Sequence, residues 1–379
     1  MISNMQSEPN GGGPEPDPRT TGVPIATLLS AVLEQGASDL HLTAGSPPAI
    51  RVNGSIRRLD EHPVLTPDDL QNMIYSILSQ KQRERLEAQQ ELDTSYSLPG
   101  KARFRVNVYY QRDSLGAAFR LIPFEIKTVE ELGLPPQVES LARVPRGLVL
   151  MTGPTGSGKS TSLAALVDIV NRERDAHIMT VEDPIEFLHQ HKRALVNQRE
   201  VGHDTQSFAN ALKHALRQDP DVILVGEMRD LETIQTALTA AETGHLVFGT
   251  LHTQDAPQTV DRIIDVFPPF QQQQVRVQVA SSLQGVVTQQ LLPLADGSGR
   301  AVAAEVLVVT PAVRNLIREA KVHQIYSSMQ AGGKYGMQTM DAALAGLVTA
   351  QKITYEAAVD AAHDVTELNR LSGRMSKVS

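Results

Sequence analysis

The segment that most constrains the fold of this chain is Gly153–Ser160, whose sequence GPTGSGKS matches the pattern G-x-x-x-x-G-K-[ST]. The apolar run Leu148–Met151 comes directly before it, and the helix-compatible stretch Ser160–Val170 follows. A strand, a glycine-rich turn and a helix in this order form a loop that surrounds phosphate groups with backbone N–H groups. The segment therefore predicts an α/β fold class with a phosphate-binding loop at the end of a strand.

Each part of this loop has a role in binding a nucleotide. The glycines let the backbone turn its N–H groups inward, and the following helix adds the positive end of its dipole. Lys159 can reach the β and γ phosphate oxygens, and the Ser160 hydroxyl can hold Mg²⁺. The sequence thus predicts that ATP and Mg²⁺ are bound by Gly153, Pro154, Thr155, Gly156, Ser157, Gly158, Lys159, Ser160 and Thr161.

Near-continuous apolar runs recur along the second half of the chain. They are typical of strands that lie between two layers of helices. Helix-compatible stretches separate them, which favours a parallel sheet in a core domain of residues 146–310. A helical C-terminal region of residues 311–379 follows. The predicted strands of the core domain are 148–151, 178–181, 222–225 and 246–251.

A candidate catalytic carboxylate follows the third of these strands. Glu227 lies just past the C-terminal end of residues 222–225, where ligands bind in open α/β sheets. The usual phosphate-loop pattern has Asp where this chain has Gly226, so Mg²⁺ would depend more on Ser160, the phosphates and water. We predict that Glu227 activates the attacking water. The alternative is that Glu227 caps the helix that begins near Asp230.

Two other strand ends carry polar residues. Three carboxylates lie within Glu182–Glu186 and are candidates for holding water around Mg²⁺; the alternative is a proline turn with solvated acids. His252 lies at the end of the last strand that faces the predicted site and is a candidate γ-phosphate sensor. His245, at the other end, is equally compatible with a structural role. The predicted catalytic residues are Glu182, Glu186, Glu227 and His252.

A smaller α+β domain is predicted over residues 25–121. The dipeptide Asn53-Gly54 is well suited to a tight hairpin, and Thr66 with Pro67 is a typical helix start. Residues 1–24 are rich in glycine and proline and predict a disordered arm. The proline-containing residues 122–145 predict an interdomain linker. The domain itself is predicted to contain helices at 25–35 and 66–89, strands at 39–42, 91–98, 102–111 and 115–121, and two further strands within 49–59 that form the hairpin.

The composition excludes several classes of protein. The chain has no cysteine, so it can form neither disulfides nor thiolate metal sites. The 35 Lys and Arg residues against 43 Asp and Glu residues give a net charge of −8, which argues against nucleic-acid binding. The sequence contains neither a signal-peptide pattern nor an apolar run long enough to span a membrane. A cytoplasmic protein with at most peripheral membrane contact is therefore predicted.

Four segments together resemble the secretion-ATPase superfamily. They are similar to its Walker A motif, its Asp box at Glu182–Glu186, its atypical Walker B motif at Gly226–Asp230 and its His box at Gly244–Thr253. A glycine before Glu227 is ordinary in that superfamily. Within it, the chain over residues 25–372 resembles the type IV pilus retraction ATPases. The stretches that carry this closer resemblance are Ala37–Leu42, Arg103–Asn107 and Ala312–Glu319, the last similar to the motif AIRNLIRE with Val313 in place of isoleucine.

The resemblance implies a hexameric ring of subunits that each pair a PAS-like N-terminal domain with a RecA-like P-loop ATPase domain. Alternation along residues 102–111 puts Phe104, Val106 and Val108 on one face and the arginines on the other. A guanidinium on that free face could stabilise charge in phosphoryl transfer, and a solvated basic edge is the alternative. The arginine-finger candidates are Arg103, Arg105, Arg112 and Arg120.

The activity implied by the resemblance is ATP hydrolysis that drives pilus disassembly and twitching motility. Its implied partners are further copies of the chain in a homohexamer, a pilus platform protein of the inner membrane and a PilU-like paralogue, at the cytoplasmic face of that membrane. An assembly or type II secretion ATPase is one alternative, but such enzymes usually carry a four-cysteine zinc module. An accessory PilU-like ring subunit is the other. The residues implied in force transmission are Arg314, Asn315, Leu316 and Ile317.

Overall fold

A computed structural model of the chain describes residues 23–52, 54–122 and 125–374. The chain forms two compact units, which divide between residues 123 and 124. The predicted disordered arm lies outside the described residues except for its last two positions. No helix of the described residues is both long and apolar enough to cross a membrane.

Over its described residues, the first unit is an antiparallel sheet with three helices, whereas the sequence predicts a sheet with two. All neighbouring strands are antiparallel, in the order β3-β2-β1-β6-β5-β4. The predicted hairpin is present between β2 and β3, with φ of +83° at Gly54, and Asn53 lies outside the described residues. The elements are α1 Ile25–Glu34, β1 Asp39–Leu42, β2 Ala49–Val52, β3 Ser55–Arg58, α2 Pro67–Ile77, α3 Gln80–Gln89, β4 Glu91–Leu98, β5 Ala102–Gln111 and β6 Ser114–Ile122.

The single helix predicted from Thr66 to Gln89 is wrong, because two helices occupy this stretch. Leu78 adopts an extended conformation that ends α2. Ser79 then begins α3 with a capping box: its hydroxyl accepts a hydrogen bond from the N–H of Gln82, whose side chain accepts one from the N–H of Ser79. Satisfying these otherwise unpaired N–H groups makes a new helix start more favourable than a continuous helix.

Replacing Ser79 with Ala is expected to weaken α3 by about 1 kcal/mol, because the Gln82 N–H loses its acceptor. Hydrogen exchange of the α3 amides should then be roughly fivefold faster than in the parent protein. Ser55→Ala, at an exposed position of β3, is the control and should leave α3 unaffected. Equal exchange in both variants would contradict the capping role.

The second unit is a seven-stranded sheet covered by helices on both faces. Leu148 and Leu150 belong to one hydrophobic cluster, whereas Val149 and Met151 belong to another on the opposite face. The elements are α4 Gln137–Ala142, β7 Gly147–Thr152, α5 Lys159–Glu173, β8 His177–Glu182, β9 Leu195–Glu200, α6 Phe208–Ala215, β10 Val222–Val225, α7 Leu231–Glu242, β11 Leu246–Thr250, α8 Ala256–Asp265, α9 Pro269–Ser282, β12 Leu283–Pro293, β13 Arg300–Val308, α10 Pro311–Arg318, α11 Ile325–Gln330, α12 Met340–Thr349, α13 Tyr355–Ala361 and α14 Val365–Leu371.

The sheet order is β13-β12-β7-β11-β10-β8-β9, and only β13 runs antiparallel to its neighbour. The four strands predicted from apolar runs are all present. Strands β9, β12 and β13 were not predicted. Because β7, β8, β10 and β11 are parallel neighbours, the segments that follow them meet at one edge of the sheet.

The predicted linker and the helical C-terminal region both belong to the second unit. Val129, Leu134 and Val138 of the predicted linker are buried in the cluster below α5, so these residues form part of the core and the linker prediction is corrected. Val313 and Ile317 of α10 are likewise buried in the main core. The helices α12–α14 cover Leu292 and Ala303 of the sheet in a smaller cluster.

Candidate active site

The phosphate-binding loop joins β7 to α5. Gly153, Gly156 and Gly158 have φ of +128°, +80° and +90°, which residues with a Cβ rarely adopt. Lys159, the first residue of α5, folds back over the loop, and its Nζ donates to the carbonyl oxygens of Gly153 at 2.7 Å and Pro154 at 2.9 Å. The first N–H groups of α5 have no partner within the helix. The loop therefore has the donors that an anion of phosphate size requires.

Lys159 lies close to two of the predicted carboxylates. Burial lowers the pKa of its ammonium group, and the negative charges of Glu227 and Glu186 oppose this shift. Both carboxylates follow parallel strands, so the predicted convergence of the loop and the strand ends is present in the structure. A phosphate bound in the loop could replace these carbonyl oxygens as the acceptor for Lys159 Nζ. The ammonium group is already oriented toward the loop.

Gln289 of β12 contacts the phosphate-binding loop, and this contact was not predicted from the sequence. Its carbonyl oxygen lies 2.3 Å from the position that a Cβ at Gly153 would occupy. Its Nε2 donates to the carbonyl oxygen of Ser157 at 3.4 Å. Among the described residues, Gln289 Oε1 and Ser157 Oγ are buried without a hydrogen bond. Because 132 positions separate the two residues, no local pattern could have indicated this contact.

Glu227 lies two positions beyond the end of β10 and contacts two basic side chains. Nε2 of His252 is 2.8 Å from Glu227 Oε1, and Nε of Arg229 donates to the same oxygen. The helix α7 is capped by Asp230, which accepts the Thr233 N–H at 2.9 Å, so Glu227 is not the cap of that helix. A cavity of about 350 Å³ opens beside Glu227 and is lined by Glu227, Met228, Arg229, Leu251, His252, Thr253, Gln254, Gln258 and Arg262.

Gly226 allows the ends of β10 and β8 to approach each other. A Cβ at this position would lie 3.1 Å from both the Cα of Glu182 and the carbonyl oxygen of Val181. An aspartate, as in the usual phosphate-loop pattern, would press against this backbone. The glycine therefore brings Glu227 and the Glu182–Glu186 segment to adjacent positions at the edge of the sheet.

The carboxylates of Glu182–Glu186 have different surroundings. Glu182 accepts hydrogen bonds from Thr180 Oγ1 at 2.6 Å and Gln198 Nε2 at 3.1 Å, and burial raises the pKa of its carboxyl group. Glu186 is exposed. Within the part of the chain that the structure describes, no group of three His, Asp or Glu side chains could hold a metal ion.

The two histidines of the last parallel strand lie at opposite edges of the sheet. His252 follows β11 at the edge of the phosphate-binding loop. His245 precedes β11, and its Nδ1 lies 2.9 Å from the carbonyl oxygen of Ala240 near the C-terminal end of α7. This contact satisfies one of the carbonyl groups that a helix end leaves unpaired. The geometry gives His245 a structural position away from Glu227.

The arginine-finger candidates lie in the first unit. Phe104, Val106 and Val108 are fully buried, whereas Arg105 is exposed, so the predicted alternation of β5 is correct. Arg103 donates to Ser95 Oγ at 2.6 Å. Arg112 is in the turn between β5 and β6, with φ of +47°. The Nε of Arg120 donates to the buried Asp39 at 2.9 Å, and its side chain remains 73% exposed.

The predicted force-transmitting residues have unequal exposure. Ile317 is fully buried, and Leu316 packs against the same core. Arg314 donates to the carbonyl oxygens of Ala280 at 2.7 Å and Ser281 at 2.9 Å, at the C-terminal end of α9. A guanidinium there also interacts favourably with the helix dipole. Asn315 is exposed and is the most accessible member of this group.

The fold and the site together define a P-loop nucleotide-binding protein. Residues 22–298 match the family described as Type II/IV secretion system protein. The chain belongs to this family, which confirms the resemblance to the secretion ATPases.

Three relatives are similar over most of the chain. The type IV pilus retraction ATPase PilT of Pseudomonas aeruginosa is 55% identical over 332 residues, which are 88% of this chain and 96% of that protein. A twitching motility protein of Neisseria gonorrhoeae is 53% identical over 88% of this chain and 89% of its own length. The crystal structure of the pilus retraction motor PilT with bound ADP has a TM-score of 0.87 at 52% identity, over 92% of this chain and 99% of that chain.

Proposed function

We propose that this protein is an ATPase that powers retraction of type IV pili. The observation that carries the proposal is the similarity to PilT, 55% identity over 96% of that protein's length. The intact phosphate-binding loop and the contact between Glu227 and His252 support it. Glu227 is held beside the loop by His252 and Arg229, in a position from which a carboxylate can accept a proton from water.

The residues of the site have distinct tasks in this reaction. Lys159 leaves the carbonyl oxygens of the loop and binds the β and γ phosphates of ATP. Glu227 accepts the proton of the attacking water, and His252 fixes the orientation of that carboxylate. Glu186 adds negative charge near Lys159, and Glu182 supports the neighbouring strand end through Thr180 and Gln198.

The loop contains an oxygen ligand that suits Mg²⁺. The Ser160 hydroxyl, in the first turn of α5, would hold the ion together with phosphate oxygens, since hard oxygen ligands are those that Mg²⁺ prefers. When bound, the ion neutralises part of the phosphate charge. No described side chain forms a hydrogen bond with the Ser160 hydroxyl, so no such bond has to break before Ser160 binds the ion.

The motor is proposed to act as a homohexamer at the cytoplasmic face of the inner membrane. Its partners are a pilus platform protein and a PilU-like paralogue. Arg103, Arg105, Arg112 and Arg120 are proposed as the groups that reach the phosphates within the ring. The exposed side chain of Arg105 and the largely exposed side chain of Arg120 support this role.

Deleting the gene in the organism that encodes the protein is expected to leave cells with surface pili but without twitching. A retraction motor removes pilin from the pilus base, so its loss leaves pili extended, whereas loss of an assembly ATPase would leave cells bald. Pili are counted by electron microscopy and twitching by the spreading of surface colonies. Complementation with the parent gene is the control. Bald cells would overturn the proposal in favour of an assembly motor.

A further inference from the structure

Glu305 of β13 is a fully buried carboxylate that none of the assigned roles uses. Its Oε1 accepts a hydrogen bond from the backbone N–H of Ala256, the first residue of α8, at 2.8 Å. Its Oε2 is buried without a hydrogen bond among the described residues. A buried acid with few hydrogen-bond partners is unfavourable for stability alone, so its position at the start of α8 requires an explanation.

Glu305 is the last member of a buried polar row across the sheet. It pairs with Thr288 of β12, which in turn pairs with Thr152 of β7. Directly paired residues point to the same face of a sheet, and the hydroxyls of Thr152 and Thr288 are 2.8 Å apart. Thr152 immediately precedes Gly153. The row therefore extends from the start of the phosphate-binding loop to the start of α8.

The segment between His252 and Ala256 is fixed on α8 by two further contacts. The hydroxyls of Thr253 and Thr259 are 2.6 Å apart. Asp255 caps the helix by accepting the N–H of Gln258 at 2.6 Å. The helix thus fixes the loop, and Glu305 attaches the first N–H of the helix to the sheet. His252 at the beginning of this segment contacts Glu227 at 2.8 Å.

We propose that Glu305 is a positioning residue that holds the His252 loop against Glu227 during ATP hydrolysis. This inference rests on the proposed function. The carboxylate acts through its hydrogen bond to Ala256 and touches neither nucleotide nor water. Shifting the start of α8 by a fraction of an ångström would move His252 relative to a carboxylate that it must keep oriented.

The ionisation of Glu305 can be followed separately from catalysis, through the pH dependence of stability. Burial, with smaller contributions from the negative charges of Asp255 and Asp341, raises its pKa to about 7, and the backbone N–H groups of Ala256 and Met340 oppose this shift. Tyr326 of α11 also faces this group. Between pH 4.5, the usual pKa of a glutamate, and about pH 7, the unfolded chain releases a proton that the folded chain keeps. The Glu305 contribution to stability therefore falls as the pH rises through this range.

The test compares substitutions of similar size in the full-length protein. Glu305→Met removes the acceptor of the Ala256 N–H and should lower kcat for ATP hydrolysis about tenfold, with KM for ATP within twofold. Glu305→Gln keeps an acceptor oxygen and should retain kcat within about threefold, while losing the fall in Tm between pH 5 and 7 that Glu305 causes. Glu305→Asp, too short to reach the N–H, should resemble the Met variant and replaces it if the Met variant does not fold.

The decisive comparison is the double variant with His252→Ala. If Glu305 acts through His252, the double variant Glu305→Met/His252→Ala should be no slower than His252→Ala alone. Multiplied losses would overturn the proposal, as would a folded Met variant with the kcat of the parent. The control is Asp168→Asn, which removes another buried carboxylate, paired with Lys192 at 2.5 Å, and should lower Tm without changing kcat. Absence of ATPase activity in the parent would instead refute the proposed function.

Discussion

Glu227→Gln is expected to lower kcat for ATP hydrolysis by roughly 10²- to 10⁴-fold, the range that a general base contributes. The amide keeps the size of the side chain and an oxygen that can still contact His252 Nε2. In the parent protein this nitrogen is 2.8 Å from Glu227 Oε1. It cannot accept the proton of the attacking water. Nucleotide binding should be retained because Glu227 is not part of the phosphate-binding loop. Phosphate release gives kcat, and displacement of a fluorescent nucleotide gives Kd.

The matched control for this prediction is Glu232→Gln. Glu232 is exposed in the first turn of α7, five positions farther along the chain, so its replacement removes one negative charge from the same region without touching the site. Its kcat should stay within twofold of the parent value. If Glu227→Gln also kept its kcat within threefold, Glu227 would not be the base, and Glu186, the other carboxylate near Lys159, would be tested next.

The parts of the site that sequence reasoning predicted are those with a local signature. The loop at Gly153–Ser160 is one continuous motif, and the buried parallel strands are nearly continuous apolar runs. The topological rule that strand ends meet at one edge then places Glu227 and His252 beside Lys159. In the structure Lys159 lies near Glu227, and Glu227 contacts His252, because each strand has a local signature and the parallel arrangement follows from it.

The parts that sequence reasoning missed depend on contacts between distant segments. Gln289 and Thr288 belong to β12, which pairs with β7 although 136 positions separate Thr152 from Thr288. Glu305 follows on the next strand, and a single glutamate in an apolar run has no pattern that indicates what it contacts. The same limit applies to residues 125–145, whose prolines indicate a linker while the apolar side chains of Val129 and Leu134 join the core.

Gly153→Ala is expected to lower kcat/KM by more than about 100-fold. The residue has φ of +128°, a conformation that strains any residue with a Cβ by about 1–3 kcal/mol. The added Cβ would also lie 2.3 Å from the carbonyl oxygen of Gln289. Because the backbone of residue 153 fixes the position of the Cβ, and the oxygen belongs to the main chain of β12, the loop must move away from β12. Lys159 and the N–H groups of the loop then lose the positions in which they bind phosphate.

The control variant Gly244→Ala separates the effect of backbone strain from the effect of the clash with Gln289. Gly244 has a φ of +119°, but no atom lies within 4 Å of an added Cβ, so this variant has the strain without the clash. It should lose about 1 kcal/mol of stability and keep kcat/KM within threefold. Adding Gln289→Ala to Gly153→Ala should not restore activity, since the clash is with the main chain. If this double variant regained activity, the side chain of Gln289, and not the main chain of β12, would be the reason that position 153 requires glycine.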